Sequence, residues 1–125
     1  VKTTRKAVGG FETKMGGDQH QKEVVMKGKS VLIRADRAGV FVGILVSHKD
    51  GEVVLKNARR LWYWDGAASI SQIAVDGVSK PENCKFPESV SEILINGVIE
   101  IIPMTEKAVK SINAVAVWEK NVQRI

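Results

Sequence analysis

Short apolar runs separated by turn residues begin at Ser30, and before that point the apolar positions follow neither a period of 2 nor one of 3.6. Val31-Leu32-Ile33-Arg34-Ala35 reads as a short strand, closed by the turn composition of Asp36-Arg37-Ala38-Gly39. In the next run Val40, Val42, Ile44 and Val46 alternate on one face, with Phe41, Gly43 and Leu45 on the other. A strand apolar on both faces is covered on both, in a small barrel or in a sheet beneath a helix. His48-Lys49-Asp50-Gly51 leads into Glu52-Val53-Val54-Leu55, and Asp-Gly between two apolar runs predicts a hairpin.

The pattern continues with a third strand through Asn57-Ala58-Arg59-Arg60-Leu61-Trp62-Tyr63-Trp64-Asp65, bounded by Gly66. Ala67 to Val75 reads as one or two helical turns, with Ile70, Ile73 and Ala74 on one face and Gly77 suited to the C-terminal cap. Val78 to Pro87 is a loop bracketed by Pro81 and Pro87. Two apolar runs, Ile93-Leu94-Ile95 and Val98 to Ile102, flank Asn96-Gly97, which suits either a tight turn or a bulge in one long strand. Thr105 caps a short helix through Ile112, and Ala114 to Trp118 forms a last strand. The resulting fold is α+β and mainly antiparallel β. It is a small sheet or partly open barrel of five to seven strands, with one or two short helices and an extended N-terminal arm.

Three segments follow: an arm over residues 1–30, a β-rich domain over 31–118 and a polar tail over 119–125. Charge sharpens the division. The chain of 125 residues carries +5, of which +4 lies in residues 1–30 and only +1 in residues 31–125. The arm is too polar and too glycine-rich to bury a core of its own, so it is expected to be disordered alone or ordered on a partner. Phe11, Met15 and the cluster Val24, Val25 and Met26 are its candidate partner contacts, because a plain solubility tail has no use for them. No apolar run approaches the roughly 20 residues of a membrane span. No secretory h-region opens the sequence, so synthesis in the cytoplasm is expected; the start at Val1 fits loss of an initiator Met or a trimmed chain equally. Cys84 is the lone cysteine, and the fold is expected to stand without a disulfide.

The catalytic inventory is thin. His20 falls in the arm and His48 at the hairpin tip, where neither is held as a general base must be. Cys84 reads as a small buried hydrophobe under the proline-bracketed loop. No zinc-type spacing, phosphate loop or nucleophile elbow occurs, so no catalytic residue, metal or cofactor is expected. The unusual feature is Arg59-Arg60-Leu61-Trp62-Tyr63-Trp64-Asp65, with two of the three Trp and the single Tyr. As a strand it sets Arg60, Trp62 and Trp64 on one face against Arg59, Leu61 and Tyr63 on the other. Three readings stand: core packing with an arginine stacked on a ring, a protein interface rich in the residues that dominate hot spots, or a site stacking a base and meeting a phosphate. The near-neutral domain lacks the dense basic face of a nucleic-acid binder.

The string from Ala58 to Ala74, with Lys80-Pro81-Glu82-Asn83-Cys84-Lys85-Phe86-Pro87 and Ile99 to Ala108, resembles a family of small proteins from tailed bacteriophages and prophages, grouped as a domain of unknown function. The resemblance covers about residues 31 to 118 and leaves out the arm. It implies a phage origin and no particular activity. From that origin the expected role is a non-enzymatic virion structural protein of the capsid decoration or cement type. It would contact capsid or other virion subunits, homo-oligomeric or lattice-bound, through its domain and arm. The alternative is an intracellular phage factor that binds a host nucleotide signal or RNA through Arg59, Arg60 and an exposed aromatic of Trp62, Tyr63 and Trp64. A membrane has no part in either.

Overall fold

Asp50 and Gly51 both take positive φ, 52° and 80°, which is the backbone of the two-residue turn whose twist matches that of paired strands. They join β2 (Gly39–Lys49) to β3 (Glu52–Arg60). β1 (Ser30–Ala35) pairs with β2 through the Asp36–Gly39 turn, in a register running from Ser30 opposite Ile44 to Ala35 opposite Gly39. β4 (Val90–Ile95) adds to β3 and β5 (Val98–Pro103) adds to β1, giving an antiparallel five-stranded sheet of order β4-β3-β2-β1-β5. The structure, a computed structural model, describes residues 26–119. The extended arm, with Phe11, Met15, His20, Val24 and Val25, and the tail from Lys120 lie outside the described residues.

The two edge strands are consecutive in the chain, and that forces the sheet to curl. Ile95 and Val98 are separated by Asn96-Gly97 alone, and three Cα steps span at most about 11 Å. A flat sheet of five strands would hold its edges about 19 Å apart. The edges therefore draw together at this end, where the Val98 N–H donates to Gly51 O (3.0 Å) and the Asp36 N–H to Gly97 O (2.8 Å). Asn96-Gly97 is thus neither hairpin nor bulge but the bend where the chain crosses the seam of an open barrel.

Alternation on the strands then makes two cores. Val31, Ile33, Ala35, Phe41, Leu45, Val53, Leu55, Ala58 and Ile95 fill the inner face. Leu32, Val42 and Leu61 face outward against α1 (Ile70–Asp76), α2 (Glu106–Asn113) and the 84–86 segment, meeting Ile73, Ala74, Phe86 and Ile112. Both faces of β2 are covered, as its apolar alternation requires. Thr105 caps its helix as expected, and Ser69, not foreseen, caps α1. Ser69 Oγ accepts from Gln72 N–H, while Thr105 Oγ1 accepts from Ala108 N–H and donates to Val75 O at 2.6 Å, tying the start of α2 to the end of α1.

Three expectations are corrected. The third strand ends at Arg60 and does not run to Asp65. At Asn57, φ 51°, its register against β2 shifts, and Ala58 to Arg60 then complete the pairing. Ala114–Trp118 forms a single parallel bridge, Phe86 to Val117, and not a strand. Met26, assigned to the arm as a partner contact, packs half-buried against the inner core. Just after it, the Gly28 N–H donates to Leu45 O and the Leu45 N–H to Lys29 O, so residues 26–29 belong with the barrel.

Candidate partner-binding surface

Beyond Arg60 the chain makes one more ladder bond, Leu61 N–H to Val40 O (2.9 Å), and then turns across the 84–87 segment. Tyr63 and Lys85 exchange backbone bonds, Tyr63 N–H to Lys85 O at 3.3 Å and Lys85 N–H to Tyr63 O at 2.7 Å. On the other side Trp118 N–H donates to Phe86 O at 3.0 Å. Residues 84–87 therefore lie as a central strip between residues 61–64 and 116–118. Alternation along the strip buries Cys84 and Phe86 and leaves Lys85 outward. Cys84 is enclosed as a small core residue, its Sγ near Lys80 O and Asp65 O.

Arg59 holds the strip from beneath. It is 8% exposed, and its guanidinium donates to five backbone carbonyls: Phe86, Pro87, Ile112, Val115 and Ala116, at 2.8 to 3.2 Å. Its planar fork of donors suits carbonyls that arrive from three segments at once. Ile112 lies in the last turn of α2, where a cation meets the negative end of the helix dipole. Phe86 stacks 5.5 Å from the guanidinium carbon. Burial lowers the Arg59 proton affinity below the ordinary arginine value, yet arginine stays charged throughout the physiological range. Arg59 is an internal strut, and its place among the binding candidates is corrected accordingly.

On the outer surface of this scaffold, Trp62 and Trp118 stack nearly parallel, with centroids 5.1 Å apart and an interplanar angle of 7°. The two rings are 58% and 43% exposed, and Tyr63 beside them is 50% exposed. Lys85 Nζ lies 5.4, 5.8 and 5.6 Å from the centroids of Trp62, Tyr63 and Trp118, a cation held by three rings. Chemically this is an exposed aromatic platform of stacked rings with one positive charge among them.

The remaining strand candidates go elsewhere. Arg60 lies over the Phe41 ring at 4.4 Å and donates from Nη1 to Ala38 O in the β1–β2 turn. Trp64 is half-buried against the outer core. The predicted split of faces holds for Arg59 and Leu61, both buried on the helix side of the sheet, and fails at Tyr63, because the strand has ended. Sequence reasoning leaves out Lys85 and Trp118. The buried-exposed-buried alternation of Cys84-Lys85-Phe86 was the available signal for Lys85; Trp118 offered none before the bridge to Phe86 was known. Among the described residues, no three His, Cys, Asp or Glu side chains converge as a metal site would require, and no helix is long and apolar enough to cross a membrane.

The chain belongs to the family described as "Domain of unknown function (DUF6948)", which it matches over residues 28–112. That span takes in Trp62, Tyr63 and Lys85 and stops short of Trp118. No curated protein matches the chain.

Proposed function

We propose that this chain is a non-enzymatic structural protein of a bacteriophage virion, a capsid decoration or cement type subunit. Its aromatic platform and basic arm bind neighbouring subunits. The observation that carries the reading is the Trp62–Trp118 stack with Tyr63 and Lys85, aromatic rings clustered together and left exposed to water. Trp and Tyr on a rigid support are the residues that anchor protein interfaces, and the backbone bonds of residues 84–87 hold these in place before any partner arrives. The phage setting rests on the sequence resemblance, and the arm on its share of the charge. The nucleotide or RNA reading counted on Arg59 and Arg60. One is spent on backbone carbonyls and the other lies over Phe41, so the protein interface is the better supported.

Purified virions of a phage encoding this chain should contain it at high copy by mass spectrometry. Trp62→Ala with Trp118→Ala should lower its occupancy at least about 30-fold, the loss of one hot spot or more. The same pair should move Tm by no more than a few degrees, since both rings are about half exposed. Deleting residues 1–25, which leaves Met26 to Lys29 in place on the barrel, should also release the protein from particles. Virions that lack the chain altogether would remove the reading.

A further inference from the structure

We propose that the groove between α2 and the outer face of β2 and β3 binds a small aliphatic carboxylate, its charged head at Arg59 and its chain toward Met104. The inference goes beyond the proposed function and does not rest on it. The groove has a volume of about 440 Å³, within the range of small-molecule sites. It crosses the sheet obliquely, from Arg59 on β3, opposite Val42, to Ser30 on β1, opposite Ile44. Met104 closes the far end, where its N–H donates to Ser30 O at 3.0 Å. Val109 of α2 and Val117 of the segment beyond it form the wall across from the sheet. Val117 is exposed and Ile44, Met104 and Val109 are only partly buried, so apolar surface is left uncovered along the groove.

Charge and wall chemistry name the ligand. Among the described residues that line the groove, Arg59 alone is charged. Its work as a strut fixes its position and leaves its charge unanswered. All five acceptors are neutral main-chain carbonyls, and no carboxylate of the described residues pairs with it, whereas a buried cation is ordinarily met by an anion. Nη1 gives one hydrogen to Ile112 O at 2.9 Å, and its second has no acceptor among the described residues. Neutral donors stand around this cation. Asn113 follows Ile112 and Ser89 lies two residues beyond Pro87, both of which bring carbonyls to the guanidinium. Asn57 adds a second amide from the β3 bulge, a device that re-aims side chains beside sites. One positive charge with neutral donors suits a monoanion, while a phosphate would find no second cation here. The apolar walls are aliphatic throughout, with no ring on which a base or an aromatic ligand would stack. Their complement is a carboxylate on a hydrocarbon chain.

The test is titration of the full chain with octanoate, followed by the NMR shifts of its backbone amides. Octanoate should saturate with a Kd of about 1 mM or tighter, and the shifts should gather at Ile44, Asn57, Val109, Asn113 and Val117. Octanamide, the same chain with a neutral head, should bind at least about tenfold more weakly, because only the carboxylate makes a charge-assisted bond. Arg59 holds the fold, so the variants are placed on the walls. Val109→Trp, which fills the groove, should weaken octanoate binding by about tenfold or more. Asn57→Gly keeps the positive φ and removes the amide, and should weaken it by about fivefold. Both variants are first checked as folded by their amide spectra, and Asn57→Gly decides alone if the tryptophan is not accommodated. No saturation by octanoate, equal binding of octanamide, shifts centred on Trp62 and Trp118, or undiminished binding by either folded variant overturns the inference. Virion occupancy is read separately, so the aromatic platform stands or falls by its own test.

Discussion

Arg59→Met should lower the melting temperature by at least about 12 °C, the largest effect expected of any single substitution that leaves the chain's volume nearly unchanged. A buried carbonyl left without its donor costs about 1–3 kcal/mol, so losing several at once should exceed about 3 kcal/mol, and for a domain of this size each kcal/mol shifts Tm by about 4–8 °C. Buried ion pairs are often replaceable by apolar residues of similar shape, but that holds when both partners can be replaced. Here the acceptors are main-chain carbonyls of residues 86, 87, 112, 115 and 116, which no side-chain change can remove. They would be left without donors in an enclosed space. Arg59→Lys should fall between the two, because an ammonium keeps the charge but cannot span carbonyls from three segments. Thermal unfolding followed by circular dichroism measures both, and a drop of less than about 4 °C for Arg59→Met would show that the fork is ornamental. Because Trp118 hangs on Phe86 O and Phe86 O accepts from Arg59, tryptophan emission of the variant should also shift at temperatures where the fold persists.

β1, β2, the Asp50-Gly51 hairpin and the Thr105 and Gly77 caps were legible in the sequence because each is a local matter of alternation, turn chemistry or a side chain reaching its own backbone; the end of β3 and the Ala114–Trp118 stretch were not. Nor was the order of the strands. Nothing near Asn96-Gly97 announces that its two flanks lie on opposite edges; that follows from the curl of the whole sheet, to which Gly51 and Asp36 contribute from distant parts of the chain. The site was half legible for a related reason. Arg59 to Asp65 drew notice by composition, and treating it as one strand sorted Arg59 and Leu61 onto the right side. Arginine in such a string reads as a surface ligand, yet here the carbonyls that claim Arg59 come from 27 to 57 residues further along. The Trp118 partnership with Trp62 is of the same non-local kind. Periodicity sees neighbours in sequence, and this platform is assembled from three segments that are not.

Gly77→Ala should destabilise the domain by about 3 kcal/mol, the sum of a backbone strain and an overlap of atoms. Gly77 ends α1 at φ 80° and ψ −151°, a region that residues with a Cβ scarcely enter. A Cβ built there would also collide with the Ser111 side chain on α2. Ser111 has no freedom to retreat at low cost. Its Oγ accepts from Val78 N–H at 3.0 Å and donates to Val78 O at 3.1 Å, so turning it away leaves two backbone groups of a nearly buried residue unpaired. The two contributions separate in a double-mutant cycle. Ser111→Gly alone should cost about 1–2 kcal/mol for the lost bonds. Combined with Gly77→Ala it should cost less than the two single changes added, because the overlap is gone while the φ strain remains. Urea unfolding midpoints at constant m-value measure each variant. Strict additivity would mean that the helices part freely at this joint and that Gly77 serves only the backbone. Coupling would mean that α1 and α2 close on each other as one rigid lid over Leu61 and Phe86, the buried residues from which the aromatic platform rises.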